Sequence, residues 1–129
     1  MFKKILIVDD SLSARMIIKQ YLEIVGCRGA EFIEVANGAL ALEKLRQETV
    51  QLIVTDMNMP VMGGNEFISR LKASPKLHSI PVIIVSSAVN KDNKERFIKF
   101  GANYVIGKPV SPQLLHEAVH SLEHSQEAR

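Results

Sequence analysis

The chain of 129 residues has a single cysteine, Cys27, so no disulfide framework can be drawn and the composition fits a reducing compartment. Cys27 follows an apolar stretch, which predicts a buried, inert thiol rather than a reactive one. Long hydrophobic runs are missing as well. None approaches the roughly 20 residues that span a bilayer. After Met1-Phe2-Lys3-Lys4 the first apolar run is only Ile5 to Val8, too short for the core of a secretory signal. The expectation is a cytoplasmic protein with no membrane segment. Neither sign of charge is in excess. Sixteen basic and 14 acidic residues leave a net +2, which gives no footing for direct nucleic-acid binding or for an acidic membrane surface. Internal repeats and low-complexity segments are absent. Histidine is sparse and uneven: His78 stands apart, while His116, His120 and His124 share the C-terminal segment.

What is present is a hydrophobic content of 47% in the length of one domain, enough for a core. Apolar runs rich in β-branched residues alternate with helical patterns. The runs predict strands over Lys4–Asp9, Phe32–Ala36, Leu52–Asp56, Val82–Ser86 and Tyr104–Ile106. They are continuous rather than alternating, as in parallel strands covered on both faces. Helices are predicted from Ser11 to about Val25, with Gly26 as the stop, and over Ala39–Arg46, Asn65–Ala73 and Lys91–Phe100. The last begins at Ser111-Pro112, a cap followed by proline in the first turn. Five strand–helix units in strict alternation predict an α/β domain built on a parallel sheet with helices on both faces. The polar residues after His124 are expected to fray.

Ligands of such sheets sit outside the carboxyl ends of the strands. Asp9 and Asp10 end the first strand there, and Asp56 ends the third. Two carboxylates about 4 Å apart repel by ~4 kcal/mol at an effective dielectric near 20, a penalty that a divalent cation removes. Oxygen donors without His or Cys select a hard ion, Mg2+ over Zn2+. Lys108 follows the fifth strand and Ser86 ends the fourth, so an ammonium and a hydroxyl reach the same edge. Each feature alone has a plainer explanation: Asp10 or Ser11 can cap the first helix, and Ser86-Ser87 and Lys108-Pro109 can be turns. Their joint arrival at one edge predicts a phosphoryl-transfer site with an Asp carboxylate as nucleophile. A phosphohydrolase using an aspartyl phosphate, a flavodoxin-like cofactor binder and an interaction module with a vestigial site are the competing readings. The first wants Asp-x-Asp after its first strand, where this chain has adjacent Asp9-Asp10. The second would find its phosphate repelled by that pair.

Five segments then carry a resemblance: Ile7-Val8-Asp9-Asp10-Ser11, Val54-Thr55-Asp56-Met57-Asn58-Met59-Pro60, Pro81-Val82-Ile83-Ile84-Val85-Ser86-Ser87-Ala88, Gly101-Ala102 and Lys108-Pro109. In order and at these intervals the chain resembles the receiver domain of two-component response regulators, from about Lys4 to Leu122. The resemblance implies a flavodoxin-like fold with strand order 2-1-3-4-5. It implies a receiver over residues 1–124, with 125–129 as a polar tail. Asp56 would accept a phosphoryl group from a sensor histidine kinase or phosphotransfer protein. Asp10 would hold Mg2+ directly, Asp9 through water, and Asn58 through its backbone carbonyl. Lys108 and the Ser86 hydroxyl would contact the phosphoryl group, and Lys108-Pro109 would be cis. The protein would be a switch rather than an enzyme, limited to slow self-phosphorylation and self-dephosphorylation. It would act on a downstream output protein or domain through its fourth and fifth strand–helix units, and a phosphorylation-dependent homodimer is compatible with this. Three positions depart from the family. Val105 stands where an aromatic is usual, and Tyr104, its neighbour on the strand, should face the other way. Gly107 replaces a bulkier residue, and Gly63-Gly64 replaces Asp-Gly and loses a cap.

Overall fold

Five strands, β1 (Lys4–Val8), β2 (Glu31–Val35), β3 (Leu52–Thr55), β4 (Val82–Ser86) and β5 (Tyr104–Gly107), pair in parallel in the order β2-β1-β3-β4-β5. The structure, a computed structural model, describes residues 2–127, with side chains through residue 124. The helices are α1 (Leu12–Leu22), α2 (Gly38–Gln47), α3 (Gly64–Ala73), α4 (Lys91–Phe100) and α5 (Pro112–Glu127). Fold class and strand order agree with the sequence analysis.

Alternation along the strands builds two separate cores. Ile5, Ile7, Leu52, Val54, Ile83, Val85 and Ile106 meet Ile18 and Leu22 of α1 and Leu115, Ala118, Val119 and Leu122 of α5. Leu6, Val8, Ile53, Val82, Ile84 and Val105 meet Ala41 and Leu45 of α2, Phe67, Ile68 and Leu71 of α3, and Phe97 of α4. Each fully buried aliphatic side chain contributes about 1.5–3 kcal/mol relative to exposure, so both layers hold the sheet. The central strands are apolar on both faces, which is why their sequence runs are continuous.

Two boundaries differ from expectation. Helix α1 does not continue regularly to Val25: after Leu22 it widens into a π-helical turn, Glu23–Cys27, whose Gly26 has φ 124°. A side chain resists that left-handed region, so Gly26, the anticipated stop, interrupts the helical backbone one residue before the turn closes at Cys27. Cys27 is free and 1% exposed. Burial, with a smaller contribution from Glu123, pushes its thiol up to about 11, so it is protonated and inert at neutral pH. At the far end α5 runs on to Glu127, into the segment read as a tail, because no breaker follows Leu122; residues 128 and 129 lie outside the described ones. No helix among the described residues is long and apolar enough to cross a membrane.

Candidate functional site

Register places the acidic groups. Val8 of β1 pairs with Thr55 of β3, so Asp9 and Asp56 follow at one level on adjacent strands. Ile5-Ile7-Asp9, Leu52-Val54-Asp56 and Tyr104-Ile106-Lys108 continue the alternation of the face covered by α1 and α5, while Val82-Ile84-Ser86 continues the opposite one. Backbone bonds fix both strand ends: Asp9 N–H donates to Val35 O at 3.1 Å and Asp56 N–H to Val8 O at 2.9 Å.

One carboxylate oxygen from each of Asp9, Asp10 and Asp56 lies within 4.8 Å of the others. Asp9 and Asp56 are buried, at 1% and 6% exposure, and Asp10 is exposed. Lys108 Nζ donates to Asp9 Oδ2 at 2.9 Å and to Asp56 Oδ2 at 3.2 Å, bridging the two buried carboxylates. Burial alone would lower the Lys108 pKa, but the hydrogen bonds and charges of Asp9 and Asp56 outweigh it and hold the ammonium above its ordinary value. Asp56 Oδ1 accepts from the Met57 N–H at 2.6 Å and more distantly from the Asn58 N–H at 3.4 Å. Asp9 Oδ1 accepts from Ser11 N–H at 2.9 Å. Ser11, not Asp10, caps α1, its hydroxyl accepting from Ala14 N–H at 3.2 Å. Asp10 therefore keeps its carboxylate clear of protein hydrogen bonds among the described residues.

The expected residues meet at one edge. Three carboxylates face one ammonium, a formal excess of two negative charges. All the side-chain donors are oxygen, a set that suits a hard divalent ion, and Asp10 supplies an unencumbered ligand for it. Ser86 is fully buried, and its Oγ accepts from Ala88 N–H at 3.2 Å. Ser87 is exposed. Asn58 is exposed in the loop after β3. The Lys108-Pro109 bond is cis. Val105 is buried in the layer with Phe97, and Tyr104 packs partly buried in the opposite layer, so Tyr104 does not stand in for the missing aromatic.

Two supporting residues escaped the sequence analysis. Arg15 donates through Nη1 to Asp9 O at 2.7 Å and pairs through Nε with Glu34 at 3.2 Å, tying α1 to the ends of β1 and β2. It is the first charged residue of an otherwise uncharged helix start, which was the available signal. Gly63-Gly64 was read as the loss of a cap, and Gly64 itself was given no role. A Cβ there would lie 2.7 Å from Asp56 O and 2.6 Å from Met57 Sδ, so the glycine lets α3 begin against the backbone that carries Asp56. Gly63 at the cap position indeed offers no side-chain bond.

The description "Response regulator receiver domain" fits residues 5–120 as a family model. The chain belongs to that family. It is a chemotaxis-regulator-like receiver of the two-component type. It is 36% identical over 115 residues to a chemotaxis protein CheY homolog of Campylobacter jejuni, covering 88% of this chain and 87% of the relative. It is 33% identical over 119 residues to the chemotaxis protein CheY of Pseudomonas aeruginosa, covering 92% and 94%. A CheY-like receiver domain structure from Methanospirillum hungatei superposes with a TM-score of 0.83 at 29% identity, covering 99% of this chain and 98% of that one.

Proposed function

We propose that this receiver is switched by transfer of a phosphoryl group to Asp56 from a phosphohistidine of a sensor histidine kinase or phosphotransfer protein. The observation that carries the reading is the Lys108 ammonium seated between Asp9 and Asp56, with Asp10 at the same edge. A carboxylate oxygen of Asp56 attacks phosphorus, the P–N bond breaks, and imidazole leaves with its electron pair as the acyl phosphate forms. Water later attacks phosphorus and restores the carboxylate, so the chain is a slow self-resetting switch rather than a multiple-turnover enzyme.

Asp10, Asp9 through water, Asp56 and the Asn58 backbone carbonyl would hold Mg2+, which when bound neutralises charge on the phosphoryl oxygens. The Met57 N–H keeps the Asp56 carboxylate oriented. Lys108 moves its ammonium from the carboxylates to a phosphoryl oxygen as charge builds there. Ser86 turns its hydroxyl to donate to another and gives up the bond from Ala88 N–H. That release loosens the loop leading to α4 and shifts the fourth and fifth strand–helix units toward an output partner or domain. The lone, buried cysteine supports a cytoplasmic setting.

The test is incubation with a small phosphodonor and Mg2+, read by intact mass. One phosphoryl adduct should form, depend on Mg2+ and vanish in Asp56→Asn. Failure to form it, or its persistence in Asp56→Asn, would overturn the reading.

A further inference from the structure

Helix α5 carries a row of histidines that the phosphoryl site does not use. His116, His120 and His124 are four residues apart, so they stand above one another on one side of the helix. All are exposed, while Leu115, Ala118, Val119 and Leu122 turn into the core. The rings of His116 and His120 have centroids 4.6 Å apart with their planes at 55°, and those of His120 and His124 are 5.5 Å apart. The first pair closes the segment His116-Glu117-Ala118-Val119-His120. This is a His-Glu-x-x-His spacing on a helix, which presents two imidazoles to one metal ion.

The geometry suits a metal. Zinc binds imidazole nitrogen at about 2.0–2.1 Å, so two such nitrogens on a tetrahedral ion lie about 3.4 Å apart. Rings at 4.6 Å reach that spacing by rotating side chains that already face solvent. Imidazole selects Zn2+, Cu2+ or Ni2+ over Mg2+, so this donor set is chemically separate from the aspartates at the sheet edge. Among the described residues, those aspartates alone bring three or more carboxylate, histidine or cysteine ligand atoms within 4.8 Å. The α5 pair thus supplies two protein ligands and leaves the remaining positions to water, on an open helix face rather than in a substrate cleft. We propose that His116 and His120 form a transition-metal site on α5, taking Zn2+ or Cu2+. It is a binding site and not a hydrolytic centre.

His120 belongs to both ring pairs, so its removal dismantles either arrangement. Untagged full chain is titrated with Zn2+ alone, in excess Mg2+ to occupy the acidic edge, by calorimetry and by NMR of the imidazole protons. One ion should bind per chain, with the largest shifts at His116 and His120. Affinity should fall roughly a hundredfold in His120→Ala, at least the loss typical of disturbing a metal's supporting shell. His78→Ala, remote from α5, should bind as the parent does. Cu2+ should bind more tightly than Zn2+. His120→Ala should still form the Mg2+-dependent phosphoryl adduct, showing that it folds. Parent-like zinc affinity in His120→Ala would overturn the proposal. So would loss of zinc binding in Asp10→Asn with its retention in His120→Ala, which would place the ion at the aspartates. Absence of binding at millimolar zinc would also overturn it.

Discussion

Lys108 already occupies the position of a counter-ion, and its influence depends on pH. Its ammonium is held above the ordinary 10.5 by Asp9 and Asp56 once their attraction has outweighed burial. A raised pKa stabilises the fold fully below the unfolded value, and that contribution disappears as pH rises through the folded one. Lys108→Met should therefore be less stable than the parent at pH 8, and the gap should narrow as pH climbs past 10.5. Urea unfolding across that range measures it, and a gap that stays constant would show that Lys108 acts by packing. The site was legible at this scale wherever residue type and strand end coincide, as at Asp9, Asp10, Asp56, Ser86 and Lys108. Arg15 and Gly64 were not legible, because one acts through a backbone carbonyl on another element and the other through the side chain it lacks.

Among the five α-helices α4 buries the fewest residues, with Phe97 its one buried residue. Its beginning is fastened by polar contacts instead. Asn90 Oδ1 accepts from Asp92 N–H and Asn93 N–H, and Asn93 Oδ1 accepts from Asn90 N–H. Asn93 Nδ2 also donates to Ala88 O, and Ala88 N–H donates to Ser86 Oγ. The capping box of α4 is therefore two residues' contacts away from the hydroxyl at the site. Asn93→Ala should cost about 1 kcal/mol at this cap. Amide exchange should quicken in α4 while β1 and β3 stay protected, and an equal loss of protection in all elements would contradict a local role. Element types and most boundaries followed from apolar runs and caps. The π-helical turn at Glu23–Cys27 did not, because the irregularity lies in backbone hydrogen bonding and leaves the apolar spacing unchanged.

For the molecule as a whole, an ion that binds the folded edge and not the unfolded chain must raise stability by mass action, by about 2.7 kcal/mol at a hundred times its Kd. Thermal melts should therefore rise with Mg2+ in the parent and much less in Asp10→Asn; equal responses would mean that the ion acts elsewhere. The architecture was legible at this scale because strict strand–helix alternation leaves few arrangements, and the resemblance selected among them. The alternation that divides the strands into two cores has a further effect at their ends. Asp9, Asp56 and Lys108 lie in phase with the α1–α5 layer and Ser86 with the layer holding α4. A charge placed at this rim straddles a partition.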